Sequence, residues 1–328
     1  MRMASLWKRL FSPARSAAAP LRPDPDIHRT AHLHLDAASL AHPPDQLGKR
    51  ALYERAGSIP VGTVEVSRWS AVRARRRAVS PETVSALRDD HFDYTDAGAG
   101  AWYLNFAHHD LFVAADTPAF AQDELQVAEH PVLYGLRAAL AEAGVPAKTV
   151  EAGRPTPILI RGAPRQLAID TSGIYGRAFA AALLDDLRAA ARPIEPPTLT
   201  NLLAIEAPHG GSGAYTLAQL HAAFDTAAAG FAACVAESAE SAEGEILIHT
   251  GHWGGGAYGG DRALMALLQR AAARAVGVRL VFHAGGDPEP FHAATALLDR
   301  ETRRAPTAAA LLDRLAAMDF QWGRPDGN

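Results

Sequence analysis

Six of the ten residues from Gly251 to Gly260 are glycine, inside the run ILIHTGHWGGGAYGGDRALMALL that spans residues 246–268. The apolar stretch Ile246–Thr250 predicts a buried strand ending just before the first of them. Asp261 is a good N-cap. The helix it opens, 262–276, sets Leu264, Leu267, Leu268 and Ala271 on one stripe with a period near 3.6. Each glycine costs backbone entropy on folding, roughly 0.5–1 kcal/mol relative to alanine. Six of them are a large cost for a ligand-free turn, which is the bland alternative. Strand, glycine-rich turn and helix N-terminus together make an anion site, because the backbone can approach a ligand closely and the amides and helix dipole favour phosphate oxygens. The run lacks the Gly-Lys-Ser/Thr ending of a P-loop, and its glycine spacing does not fit the dinucleotide fingerprint.

Around this feature, candidate strands Trp102–Phe106, Pro157–Arg161, Leu202–Glu206, Ile246–Thr250 and Leu280–His283 alternate with candidate helices 120–128, 132–143, 176–191, 216–236, 262–276 and 307–318. Interleaved strands and helices predict a layered α/β domain. At 328 residues, 48% hydrophobic and 21% charged, the chain can bury a substantial core as one large domain with an extension. Residues 1–45, rich in Pro, Ala and Arg, read as a flexible arm. Residues 46–95 read as a helical extension, with Ser80-Pro81-Glu82-Thr83 as a helix start and Arg73, Arg75, Arg76 and Arg77 as a solvated face. Residues 96–320 form the main domain, and 321–328 a disordered tail.

The net charge of −4 advertises no nucleic-acid surface, and lysine occurs only at Lys8, Lys49 and Lys148. Cys234, the one cysteine, lies in an apolar run and reads as a buried structural thiol. No stretch approaches the roughly 18 apolar residues of a membrane span. The basic start lacks an apolar signal-peptide core, so a cytoplasmic location is expected. Leu6, Trp7, Leu10 and Phe11 offer at most a transient membrane-surface contact.

The segment Gly251-His252-Trp253-Gly254-Gly255-Gly256-Ala257-Tyr258-Gly259-Gly260-Asp261 resembles the diphosphate-binding loop of the poly(ADP-ribose) glycohydrolase family, and the likeness continues through Leu264, Ala266, Leu267 and Gln269. Upstream, Leu203-Ala204-Ile205-Glu206-Ala207 is similar to a strand of that family. The resemblance covers roughly residues 95–315. It implies a macrodomain-like mixed sheet flanked by helices and a site for ADP-ribose or an ADP-ribosylated protein. Neither a cofactor nor a metal is implied. Gly254, Gly255, Gly256, Ala257, Tyr258, Gly259 and Gly260 would grip the diphosphate.

The family's second signature, a strand, three glycines and Gln-Glu-Glu, aligns without a gap on Leu104-Asn105-Phe106-Ala107-His108, Phe112-Val113-Ala114 and Gln122-Asp123-Glu124. The resemblance implies that Glu124 is the catalytic acid/base, that Asp123 orients ribose hydroxyls, and that Asn105, His108 and Gln122 help bind the ligand. An acid is needed there because cleaving a ribose–ribose bond requires protonation of the departing oxygen. Taken alone, the three residues read rather as the polar face of an amphipathic helix, and it is the aligned spacing that favours the functional reading.

Three departures stand out. Phe112-Val113-Ala114 replace the glycines, His108 replaces an asparagine, and Gly285 stands where the family stacks a phenylalanine on adenine, with His283 or Phe282 as substitutes. Activity on terminal or single ADP-ribose units is therefore expected to exceed activity inside a chain. The alternatives are a non-catalytic ADP-ribose-binding module and a structural domain without ligand. His249-Thr250-Gly251-His252 reads as core and ligand-facing histidines rather than a metal site, His109 and Asp110 as a solvated turn, and Gly211-Ser212-Gly213 does not have the spacing of a nucleophile elbow.

Overall fold

A computed structural model describes residues 26–71, 78–79, 85–96, 98, 100–239 and 245–326. Its centre is a mixed sheet of eight strands: β1 (Ile27–Asp36), β2 (Thr63–Ala71), β3 (Ala86–Arg88), β4 (Ala101–Ala107), β5 (Ile158–Ile169), β6 (Ala191–Glu206), β7 (Leu247–Thr250) and β8 (Arg279–His283). Across the sheet they lie in the order β1-β2-β5-β6-β4-β7-β8-β3. The first four pair antiparallel, and from β6 to β3 every pairing is parallel.

Side chains alternate across the pleat and so feed two cores. On β4, Trp102 and Leu104 face a layer of helices: α3 (Leu217–Ala239), α4 (Arg262–Val276), α5 (Glu289–Thr302) and α6 (Ala308–Ala316). Tyr103 and Ala107 face the opposite side with Val64, Ile158, Leu202 and Val132. A third cluster joins α1 (Leu47–Ala56) to α2 (Gln122–Glu129) through Leu52, Phe120, Ala128 and Phe179. Helix α4 lies between α3 and α5, so Leu264, Leu267 and Leu268 are fully buried and so are Met265 and Gln269 on other faces. Its surroundings are more enclosed than a single apolar stripe predicts. Cys234 is buried in α3.

The helical extension expected over 46–95 is a correction. Among its described residues only Leu47–Ala56 is helical, while β2 and β3 supply one antiparallel and one edge strand. Likewise β1 lies within the expected flexible arm. The local reason is a period-2 pattern: Ile27, Arg29, Ala31, Leu33 and Leu35 lie against the protein while His28, Thr30, His32, His34 and Asp36 face solvent. Short alternating stretches rich in His, Thr and Arg carry a weak strand signal, and pairing with β2 completes it. The proposed helix start at Ser80–Thr83, the arginines at 73–77 and residues 1–25 lie outside the described residues. Helix α5 is absent from the sequence reading because Pro288 and Pro290 resemble a break. They occupy its N-terminal turn, where a missing N–H costs no intrahelical bond. Among the described residues no helix is long and apolar enough to cross a membrane.

Candidate active site

Parallel strands β4, β6, β7 and β8 end at the same edge of the sheet. The loops that follow them enclose a cavity of about 820 Å³, the usual position for a ligand in an open α/β sheet. Both sequence signatures reach it. The glycine-rich loop contributes Gly254, Gly256, Ala257 and Tyr258, and α2 contributes Gln122, Asp123 and Glu124.

One wall is backbone. Gly254 has φ +74° and Gly259 φ +67°, values that disfavour any side chain. Asp261 caps α4 by accepting the N–H of Leu264 at 2.8 Å. Gln269, on α4, donates to the carbonyl of Gly251 and accepts from the Thr250 hydroxyl, which ties the loop's entry to the helix that follows it. Among the described residues, the N–H groups of Gly254, Gly256, Ala257 and Tyr258 find no acceptor. Unpaired amides at a cavity are ready donors to an anion. Gly255, Gly259 and Gly260 do not reach the cavity. A Cβ on Gly255 would meet Arg262, one on Gly260 the carbonyl of Gly254, and one on Gly259 the backbone of Arg324 and Pro325.

That last contact corrects the disordered tail. Trp322 stacks on Tyr215 at 4.4 Å, the N–H of Gly323 donates to the carbonyl of Gly259, and the Asp326 carboxylate lies 3.6 Å from Arg262 at the cavity wall. Residues 321–326 are thus docked on the glycine-rich loop.

The facing wall is built from charged side chains. Asp123 is 8% and Glu124 6% exposed. Burial, and then the neighbouring Glu124 charge, push the Asp123 carboxyl up to about 7. Its Oδ1 accepts from Asn105 Nδ2 at 3.1 Å. Glu124 Oε2 accepts the N–H of Ala121 at 2.8 Å. Asn105 is fully buried and does not line the cavity, so it holds Asp123 rather than facing a ligand. Gln122 borders the cavity, yet its amide is spent on β4, accepting from the N–H of Phe106 and donating to the carbonyl of Leu104. Two tyrosines feel this wall: burial first and then the Glu124 and Asp326 charges push Tyr175 up to about 12, and burial followed by the Asp123, Glu124 and Glu206 charges pushes up Tyr258.

Behind this wall lies Lys49, which the sequence reading passed over. Helix α1 places its ammonium, fully buried and without a hydrogen-bond partner among the described residues, 4.7 Å from the Phe120 ring and 5.2 Å from the Phe179 ring. Burial lowers its pKa to about 8, against the pull of Glu124, Asp123 and Asp116. Only its being one of three lysines could have drawn attention to it.

At the substituted loop, Phe112 adopts φ 53°, the left-handed conformation that a glycine takes easily, and is buried. Val113 and Ala114 line the cavity. His108 lines it too, with Nδ1 accepting from the N–H of Asp110 at 3.1 Å.

Around Gly285 the cavity wall carries aromatic rings from another segment. Gly285 has φ +54°, and a Cβ there would lie 2.6 Å from His91. Phe92, beside His91, lines the cavity edge-on to Phe106 and His283. Phe282 is buried in the core, so it is no platform. His283 is tied by Nδ1 to Asp90 at 2.7 Å and by Nε2 to His249 at 3.0 Å. His249 stacks on Tyr103 and burial lowers its pKa to about 4. His252 instead bonds the carbonyl of Ala284. The two histidines therefore serve different partners, as a core and a loop residue.

The model of the family described as poly(ADP-ribose) glycohydrolase (PARG), macro domain fold, matches residues 179–290. That range holds β6, β7, β8 and the glycine-rich loop, but not Asp123 or Glu124. Similar solved structures include the poly(ADP-ribose) glycohydrolase of Thermomonospora curvata, at 18% identity over 81% of this chain and 85% of that one, TM-score 0.42. Another is the Deinococcus radiodurans enzyme in complex with ADP-ribose, at 15% identity over 84% and 96%, TM-score 0.45. No curated protein sequence matches the chain. Residues 179–290, which carry the loop and the strands around it, are thus similar to the poly(ADP-ribose) glycohydrolase family of macro domain fold.

Proposed function

We propose that the protein is an ADP-ribose glycohydrolase that removes terminal or protein-linked ADP-ribose by acid/base hydrolysis of an O-glycosidic ribose bond. One observation carries this reading: the unpaired amides of the glycine-rich loop and the Asp123–Glu124 pair open on the same cavity. The amides and the N-terminus of α4 bind the diphosphate, which sets the distal ribose against α2. Glu124 protonates the departing oxygen, and its carboxylate then activates water. Asp123, held by Asn105 and pushed up to about 7, keeps a proton in the pair near neutrality and orients ribose hydroxyls. The bulk of Phe112, Val113 and Ala114 favours single or terminal units over the interior of a chain.

A second reading, a non-catalytic ADP-ribose-binding module, is favoured by the bond from Ala121 to Glu124 Oε2, since a helix-capping carboxylate needs no chemistry to account for it. Calorimetric titration with ADP-ribose, followed by release assays on poly- and mono-ADP-ribosylated protein, separates the two. Binding with turnover supports the hydrolase, and binding without turnover supports the module. Absence of both removes the ligand assignment.

A further inference from the structure

Beside the cavity lies a group of side chains that this hydrolysis does not use. Ala107, the last residue of β4, pairs with Glu206, the last residue of β6. The loops that follow bring His109 and His209 to the same carboxylate. His209 Nε2 lies 3.0 Å and His109 Nδ1 3.6 Å from Glu206 Oε1, and the three donor atoms all fall within 4.8 Å of one another.

We propose that His109, Glu206 and His209 bind one divalent transition-metal ion of the zinc class. Ligands about 2.0–2.1 Å from a tetrahedral zinc ion are separated from one another by roughly 3.3 Å. The two measured separations bracket that value, so small side-chain adjustments would complete the set. Two imidazoles and one carboxylate suit zinc and its neighbours rather than calcium or magnesium, which favour oxygen ligands. Three protein ligands leave a coordination position for water or a ligand oxygen. One carboxylate only half-neutralises a divalent ion, so the bound site would remain cationic.

The donors are held in place. The carbonyl of His109 accepts the N–H of Thr149, and its ring lies against His108 at 3.8 Å. The His209 ring lies 5.3 Å from that of Tyr258. His108 and Tyr258 both line the cavity, which places the three donors at its rim. A second His/Glu group, His32, His34 and Glu65, is looser: its donors are 3.9 and 4.0 Å apart on the solvent face of β1 and β2, away from the cavity. It serves as the internal control.

This inference does not depend on ADP-ribose hydrolysis, and its test contains no nucleotide. Full-length protein, stripped with a chelator and dialysed, is titrated with zinc chloride by calorimetry and with cobalt(II) chloride by visible absorption. The expected result is one tight equivalent, with the intense bands of four-coordinate cobalt(II). Glu206→Gln combined with His209→Ala should weaken zinc binding by more than the roughly 10–100-fold typical of losing an outer-shell partner. His32→Ala combined with His34→Ala should leave it unchanged. Circular dichroism and thermal melting of each variant verify folding. No tight equivalent in the wild type, weak six-coordinate cobalt spectra, or loss of binding only in the His32/His34 variant would each overturn the proposal and leave Glu206 as a plain ion-pair partner of the two histidines.

Discussion

The two walls of the cavity achieve polarity by opposite means. The glycine-rich wall removes side chains, so that main-chain N–H groups at Gly254, Gly256, Ala257 and Tyr258 are left without acceptors at the cavity. The α2 wall buries carboxylates, and the proton affinity of Asp123, raised by burial and by the Glu124 charge, is opposed by groups arriving from distant parts of the chain: Asn105 from β4 and Lys49 from α1. A main-chain wall tolerates little replacement but is insensitive to pH. A carboxylate wall tolerates shape changes but depends on every nearby charge. Variants on each side should therefore fail differently.

The largest effect is expected at Glu124. Glu124→Gln keeps size and shape but removes the transferable proton, so turnover should fall about 10²–10⁴-fold while ADP-ribose affinity measured by calorimetry is retained. Asp123→Asn should be milder in rate, because its role is orientation and sharing of the proton. Turnover that survives Glu124→Gln would refute the assignment of the acid.

Next in size is the support of the main-chain wall. Leu268 is fully buried in α4, and Leu268→Ala should cost roughly 2–5 kcal/mol in chemical denaturation, the usual range for a core truncation. Residual turnover of the folded fraction should be close to that of wild type, since the carboxylates rest on other elements. A cost under 1 kcal/mol would mean that the helix carrying the loop is not packed as described.

A smaller effect is expected at Gly256. Its φ is not in the left-handed range, and a new Cβ meets only the Asp326 side chain, at 3.3 Å. Gly256→Val should therefore fold, yet weaken ADP-ribose binding by about 10–100-fold, which corresponds to losing one hydrogen bond to a charged group. Unchanged affinity in the folded variant would displace the phosphate site from this loop. Gly254→Val is a poor test by comparison, because its φ of +74° and its contact with Pro208 disturb the backbone as well.

The contrast between the walls also accounts for what could be read from the chain alone. Glycine density is a local signal, so the loop, the Asp261 cap and the strand–helix frame around them were legible. Asp123 and Glu124 were assigned only by their resemblance to the family's second signature, and the structure brings them to the cavity. What escaped was whatever depends on contacts between remote segments. Asn105 reads as a ligand contact until burial shows it behind Asp123. Gln122 reads the same way until its amide is found bonded to β4. β1 and β2 show only a weak alternation that pairing completes. The docking of residues 321–326 depends on Tyr215 stacking on Trp322, which no local pattern announces.

Lys49 gives the finest test of the comparison, because it acts on one wall alone. Its ammonium lowers the proton affinity of Asp123, and burial lowers its own pKa from 10.5 to about 8. Lys49→Met keeps the length and the contact with Phe120 and Phe179 but removes the charge. The carboxyl pair should then hold its proton to higher pH, so the alkaline limb of turnover should move upward by a fraction of a pH unit, with no change in ADP-ribose affinity through the glycine-rich loop. Stability supplies a readout free of any substrate. A lysine whose folded pKa is depressed disfavours the folded state most strongly below that pKa, and the penalty fades as pH rises from about 8 to 10.5, where the unfolded chain also loses the proton. The variant should thus melt higher than wild type at pH 7, by up to about 3 kcal/mol from a shift of this size, less what the carboxylates lose with their cation. The advantage should narrow between pH 8 and 10.5. A lower melting temperature at pH 7 would mean that the Lys49 charge stabilises the carboxylate wall by more than its own burial costs.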